Sequence, residues 1–282
     1  MNNSLDKIIE DEFKKFIENL RKFHIIEYIE SNYKIKFTEP KLKILESKSL
    51  IAGEYSPSKN QIIISKKSIE RLTNSQLKFL GYKEIEISII DIQHIEYLNI
   101  PYKSYKSTFV YPLYIKKRNI IETIKEFFIH LAMSHEGWHA IDQIILNKLA
   151  EDPTIKDRGY LLTILNNHDN LELRASVFQF IDYYLAKGFH KDERGYIAAY
   201  FNIPTCIDYI KELAELEKNK YKSKLVPYDL GLCYGNIIVA KYRSSLEKNI
   251  YKVIDDIIHL DKEKAIDVIK NYVYNPDKLL HD

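Results

Sequence analysis

The sequence is poor in the residues that staple or punctuate a chain. Its 282 residues hold two cysteines, Cys206 and Cys233, so no disulfide framework can be built. One bridge is allowed, but two free buried thiols in a reducing compartment are the expectation. Glycine and proline, 8 each, are too few for a low-complexity or collagen-like chain. An excess of one charge is also missing: Lys+Arg 42 against Asp+Glu 40 leaves a formal +2. That balance argues for no nucleic-acid and no membrane-surface partner. No run approaches the ~18 uncharged apolar residues that cross a bilayer. The start, MNNSLDKIIEDEFKK, has neither the cationic opening nor the apolar run of a signal peptide. A cytoplasmic protein is expected. What is present, 45% hydrophobic and 29% charged residues with 22 tyrosines, describes a globular chain able to bury a sizeable core.

Hydrophobic periodicity divides the chain. Residues 5–32 carry a helical pattern, with Ile8, Ile9, Phe13, Phe16 and Ile17 on one face. Lys41 to Ser47, Leu50 to Tyr55 and Gln61 to Ser65 read as strands, the last two separated by the turn-rich Ser56-Pro57-Ser58-Lys59-Asn60. A β-hairpin with an edge strand is predicted. Residues 67–81 read as a helix, and 83–99 fit either a strand or a helix. Thr108 to Ile115 is strand-like, and Pro112 demotes it to an edge. A long helix is predicted from about 120 to 149, capped by Asn119, with Glu122 at the capping-box position and Pro153 beyond its end. Another runs from about 169 to 187, with Gly188 as its C′ residue. Residues 204–275 read as several helices punctuated by Pro227 and the Gly231–Gly235 stretch. The fold class is therefore α+β and mostly helical. Residues 1–118 form a helix and β-sheet subdomain and 119–282 a helical subdomain, within one compact unit.

Inside the long helix stands His135-Glu136-Gly137-Trp138-His139. At 3.6 residues per turn the two imidazoles lie only about 40° apart around the axis, so both can face one metal ion. Glu136 is turned roughly 100° from His135 and flanks the metal instead of ligating it. With nine histidines, chance gives such a pattern with an expectation on the order of 0.02. The neighbours Ala132, Met133, Gly137, Trp138, Ala140 and Ile141 are uncharged, as a helix buried on most sides requires. Two histidines and a glutamate in such a run need partners, and a metal is the natural one. Gly137 lowers helix propensity and lets another segment or a substrate come close.

A catalytic zinc needs a third protein ligand and an open position. The HExxHxxGxxH extension is absent, because Asp142 and Ile145 occupy its places. Glu172, in Asn170-Leu171-Glu172-Leu173-Arg174-Ala175-Ser176, is the best candidate, with His168 and Asp169 as alternatives. The small Ala175 and Ser176 would let this helix pack closely on the motif helix. Against this, Asp169 and Glu172 also make a capping box, which would leave Glu172 the ordinary task of closing a helix start.

The ordered pair, HEGWH and then a Glu-x-x-Ala helix, resembles the gluzincin metallopeptidases. Nearest are those with HExxH plus ExxAD, the membrane-bound heat-shock and prenyl-protein-processing peptidases and their soluble minimal relatives. The resemblance covers two short motifs within residues 135–176. It implies a zincin-like fold, one Zn2+ per chain, and a peptide or protein substrate. It also implies His135, His139 and Glu172 as ligands and Glu136 as the general base. Ser176 stands where the family has an Asp that supports ligand geometry, and the transmembrane helices of the membrane-bound members are missing. Zinc lowers the pKa of its water to about 7, and Glu136 would move the proton to the leaving amine. Tyr228, Tyr234 and His168 are candidate oxyanion donors. Asp142, one turn after His139, could orient that imidazole or simply be a solvated carboxylate. Tyr55 and the Gln61–Ser65 strand could receive an extended peptide by strand addition.

Two other classes compete. A helical di-iron protein would use Glu136-x-x-His139 with a second such pair, for which only Asp256-x-x-His259 is at hand. A non-enzymatic protein could keep a zincin fold for binding or sensing. Oligomeric state is not legible.

Overall fold

The computed structural model describes residues 4–46, 51–81, 97–103, 106–114, 120–191, 197–200, 202–219, 223–224 and 226–273. The N-terminal helical pattern folds as two helices, α1 (Leu5–Lys22) and α2 (Ile25–Tyr33). Ile8, Ile9, Glu12, Phe16, Ile17 and Leu20 face inward from α1. The break falls at Phe23-His24, where His24 takes a left-handed φ of 57°. Periodicity hides this break, because Ile25, Ile26 and Ile29 resume the inward face at once.

Three strands follow: β1 (Lys41–Leu45), β2 (Gly53–Ser56) and β3 (Gln61–Ser65). β2 and β3 form the expected antiparallel hairpin, turning through Pro57–Lys59 and a left-handed Asn60. β1 pairs with β3 in parallel, so among the described residues the order is β1-β3-β2 and β2 is an edge. Ile62 and Ile64 are fully buried beneath it. Helix α3 (Lys66–Phe79) is capped by Ser65, whose side chain accepts from the Ser68 N–H. Among the described residues strand β4 (Tyr97–Lys103) pairs only with β5 (Thr108–Tyr114), so there Pro112 lies in an edge strand, as expected. Most of the ambiguous 83–99 segment and the proposed Asn119 cap lie outside the described residues.

Helix α4 (Ile120–Glu151) is the axis of the molecule and stops before Pro153, as expected. It is buried almost all round from Met133 to Gly137. Gly137 faces α1: a Cβ there would lie 2.1 Å from the Phe16 ring, so the close segment is a neighbouring helix. A short helix without a sequence-level signal, α5 (Arg158–Leu165), leads to α6 (His168–Ala186), which packs along α4. α6 ends at Lys187, and Gly188 follows at φ +74°, the C′ role expected of it.

The longer helices of the remaining described chain are α7 (Ile203–Glu217), α8 (Val226–Tyr242), α9 (Ile250–Ile258) and α10 (Lys262–Val273). Gly231 and Gly235 do not break this region; both lie inside α8. A Cβ on Gly231 would stand 2.5 Å from the Ser176 Cβ and 2.6 Å from the Leu173 carbonyl, so the glycine lets α6 and α8 touch. The thiol expectation is also corrected. Cys206 of α7 and Cys233 of α8 form a disulfide across the helix pair, 27 residues apart in sequence. Spacing could not show this, because only helix packing brings their Cα atoms to 5.6 Å. A reducing compartment therefore loses the support that free thiols lent it. No helix among the described residues is long and apolar enough to cross a membrane. The architecture is α+β and mostly helical.

Candidate metal centre

α4 carries His135 and His139 one turn apart, with ring centroids 4.9 Å from each other and planes at 84°. α6 brings Glu172 against them from the side. His135 Nε2 lies 3.0 Å from Glu172 Oε2, and His139 Nε2 lies 3.7 Å from Glu172 Oε1. Ligand atoms of the three residues fall within 4.8 Å of one another. Tetrahedral zinc bonds of about 2.0–2.1 Å place ligand atoms roughly 3.3 Å apart, so the two measured separations bracket the required one. Two imidazoles and a carboxylate are also a donor set zinc accepts. The three residues can hold a metal ion. Among the described residues no other His, Cys, Asp and Glu side chains gather in this way, and Asp256 and His259 are not part of the group.

The capping-box alternative for Glu172 does not hold. Helix α6 starts two residues earlier than that box requires, at His168, and Asn167 is its cap, accepting from the Asn170 N–H at 3.1 Å. Glu172 is left to face the histidines. Burial opposes its ionisation, yet hydrogen bonds from His135 and His139 and their charge hold the carboxyl well below its usual range. His168, the first residue of α6, has a side chain 79% exposed, with Nδ1 3.6 Å from Glu172 Oε1. It stands on the solvent side of the carboxylate.

Glu136 is turned away from the ligand face and lies against the edge strand. A Cβ on Gly53 of β2 would sit 2.8 Å from Glu136 Cγ and 3.3 Å from Oε1, so only glycine leaves this seat open. The Tyr55 backbone N–H of the same strand acts on the Glu136 carboxylate and favours its charged form. Burial pushes the Glu136 carboxyl up, helped by the Glu172 charge and opposed by the two histidines and the Tyr55 N–H. Such a group is suited to hold a proton temporarily.

Tyr228 of α8 stacks on His135, ring centroids 5.8 Å apart at 13°. Burial, then the Glu172 charge and its hydrogen bond, raise the Tyr228 hydroxyl far above its usual value, so it stays protonated and able to donate. Tyr234 sits six positions on, about 240° around the helix, and is buried near Asp256, Tyr242 and Tyr272, away from the centre. Tyr55 lines the cleft, with its hydroxyl donating to Asn60 Oδ1 at 3.0 Å. Ser176 faces α8 at Gly231.

Asp142 is not solvated. It is fully buried and grips Arg174 of α6, with Nη2 to Oδ2 at 3.1 Å and Nε to Oδ2 at 3.2 Å. Arg174 Nη1 also donates to the Leu260 carbonyl at 3.2 Å. This pair bolts α4 to α6 three residues beyond His139 and two beyond Glu172, and the Asp142 charge acts on the His139 imidazole. Gly53 and Arg174 were not singled out from sequence. For Arg174 a signal existed: an arginine on the small-residue face of a helix needs a buried carboxylate. For Gly53 none existed.

The centre opens into a cavity of about 660 Å³ walled largely by apolar side chains, including Leu72, Phe128, Leu131, Leu146 and Leu171. Compared with protein-family models, curated proteins and solved structures, the chain matches none.

Proposed function

We propose that this chain is a zinc-dependent metallopeptidase of gluzincin type, with a zincin-like fold and one zinc held by His135, His139 and Glu172. The observation that carries this reading is the arrival of Glu172 from α6 at the histidine pair, 3.0 Å from His135, while Glu136 is held apart on the edge strand. A zinc ion bound there supplies Lewis-acid polarisation of a peptide carbonyl and lowers the pKa of a water to about 7. Glu136 takes the proton of the attacking water and hands it to the leaving amine. The protonated Tyr228 hydroxyl is the donor for the oxyanion that develops on the carbonyl. Edge strand β2 gives an extended peptide backbone groups to pair with, and the apolar cavity receives its side chains.

Protein purified without chelator should carry about one zinc per chain. Glu136→Gln should keep that zinc and lower peptide hydrolysis about 10²–10⁴-fold. A wild type without metal after mild purification, or an undiminished Glu136→Gln enzyme, would overturn the reading.

A further inference from the structure

The ligand face of α4 does not end at the metal centre. His135, His139, Gln143, Asn147 and Glu151 recur every fourth residue as one row that winds round the helix by about 40° per step. Beyond Gln143 this row enters a second groove of about 400 Å³, on the far side of Tyr55 and Pro57. Gln143, Tyr55 and Pro57 line the metal cleft and this groove alike, so the two are neighbours that share a wall.

The groove differs from the cleft in charge. It is lined by Lys34, Lys36 and Lys148, opposed by Glu151. Lys148 is engaged by Asp152, Nζ to Oδ2 at 3.4 Å. Lys34 and Lys36 are exposed and have no ion-pair partner among the described residues. Two uncommitted ammonium groups over a concave surface favour an anionic occupant. In the cleft itself the charges of Glu54 and Lys103 cancel, Asp142 is held by Arg174, and the remaining carboxylates belong to the metal centre.

We propose that this groove is the subsite for an acidic stretch of the substrate, Asp or Glu side chains lying on one flank of the scissile bond. Lys148 follows His139 by nine positions, about 13 Å along a helix. An extended peptide covers that in about four residues at roughly 3.3 Å each. The acidic side chains therefore stand about three to five residues from the bond that is cut. The substrate class is an extended peptide, apolar at the cleavage site and acidic on one side. The inference rests on the peptidase reading for the cut, but not for the binding.

The test uses zinc-loaded Glu136→Gln protein and fluorescein-labelled peptides of about twelve residues. Their termini are blocked by amidation, so that only side-chain carboxylates count. One peptide has an apolar centre and a Glu-rich flank; its twin carries Gln at those places. Fluorescence anisotropy should show the acidic peptide binding about five-fold more tightly at low salt, and the gap should close at high salt. Lys34→Asn with Lys36→Gln should remove the gap while leaving the Gln peptide unaffected; Asn suits the left-handed φ of 52° at position 34. Equal affinities, no measurable binding of either peptide, or a gap that survives the lysine changes would each overturn the subsite. The two readings separate on the wild type. Tight lysine-dependent binding without cleavage sinks the peptidase and keeps the groove. Equal affinities with equal cleavage of the two peptides do the reverse.

Discussion

His130 and His135 stand five residues apart on α4, and each meets carboxylates, yet the two places do different things. Five residues turn the helix by about 140°, so the imidazoles leave it on nearly opposite sides. His135 faces the cleft. His130 is sealed between α1 and α6, with Nδ1 3.5 Å from Glu12 Oε2 and Nε2 3.2 Å from Asp182 Oδ2. Ser134 donates to the same Asp182, and Lys15 reaches Glu12 from the surface at 2.6 Å. A serine, a histidine and an aspartate in contact have the composition of a nucleophilic site. Here His130, Ser134 and Asp182 are at most 1% exposed, so no substrate reaches them. The cluster is a clamp that fastens α1 and α6 to α4. Access, and not residue type, separates a site from a strut.

The largest test of this contrast is a pair of alanine substitutions. His130→Ala leaves Glu12 and Asp182 buried without their shared cation. It should cost about 3–5 kcal/mol in urea unfolding while the folded fraction keeps its zinc. His139→Ala should lose the zinc and show far less change in the unfolding of metal-free protein. A His130→Ala protein as stable as wild type would erase the distinction. Next comes Gly53→Ala, whose Cβ would meet Glu136 Cγ at 2.8 Å. On the peptidase reading, displacing Glu136 by about 1 Å should cost up to about 10²-fold in kcat, with zinc content unchanged and only a small drop in Tm. Unaltered kcat would mean that the β2 seat does not position Glu136.

The smallest effect is a dependence on pH. Burial works against the His130 charge, but Asp182 and Glu12 outweigh it and raise its pKa above the ordinary 6.5. A raised value means stability that is complete below about pH 6.5 and is lost as pH climbs through the folded value. Glu12 is the opposite case. Burial opposes its charge, yet His130, Lys187 and Lys15 hold its carboxyl well below the ordinary 4.5, so its contribution is present above that pH and fails only in strong acid. The clamp should therefore be at full strength between about pH 4.5 and 6.5. Metal-free wild type should lose stability from pH 6.5 upward, and His130→Gln should flatten that slope. An identical slope in the variant would remove His130 as its cause.

Much of the scaffold was readable because local rules govern it. The β2–β3 hairpin follows from alternation around a turn-rich spacer, α4 from an uninterrupted helical face before Pro153, and the end of α6 from Gly188. The approach of another segment to Gly137 was legible for the same reason: a glycine on a buried helix face marks a close contact. Other features depended on partners distant in sequence. The break between α1 and α2 carries no glycine or proline. The glycines of α8 read as punctuation until α6 is seen lying on them. The role of Asp142 could not be settled before Arg174 was found opposite it, and Tyr228 and Tyr234 differ only in which side of α8 they occupy.

The sequence by itself determined the spacing of His135, Glu136 and His139, because 3.6 residues per turn sorts those side chains without help from the rest of the chain. It also pointed to Glu172 as the best candidate for a third ligand, should the histidine pair bind a metal. Only the tertiary structure decided that Glu172 faces the histidines instead of capping its own helix, that Gly53 seats Glu136, that Cys206 meets Cys233, and that a lysine-lined groove shares a wall with the cleft. Each of these joins residues from separate elements. Their distances are set by how helices and strands pack, which no local pattern encodes.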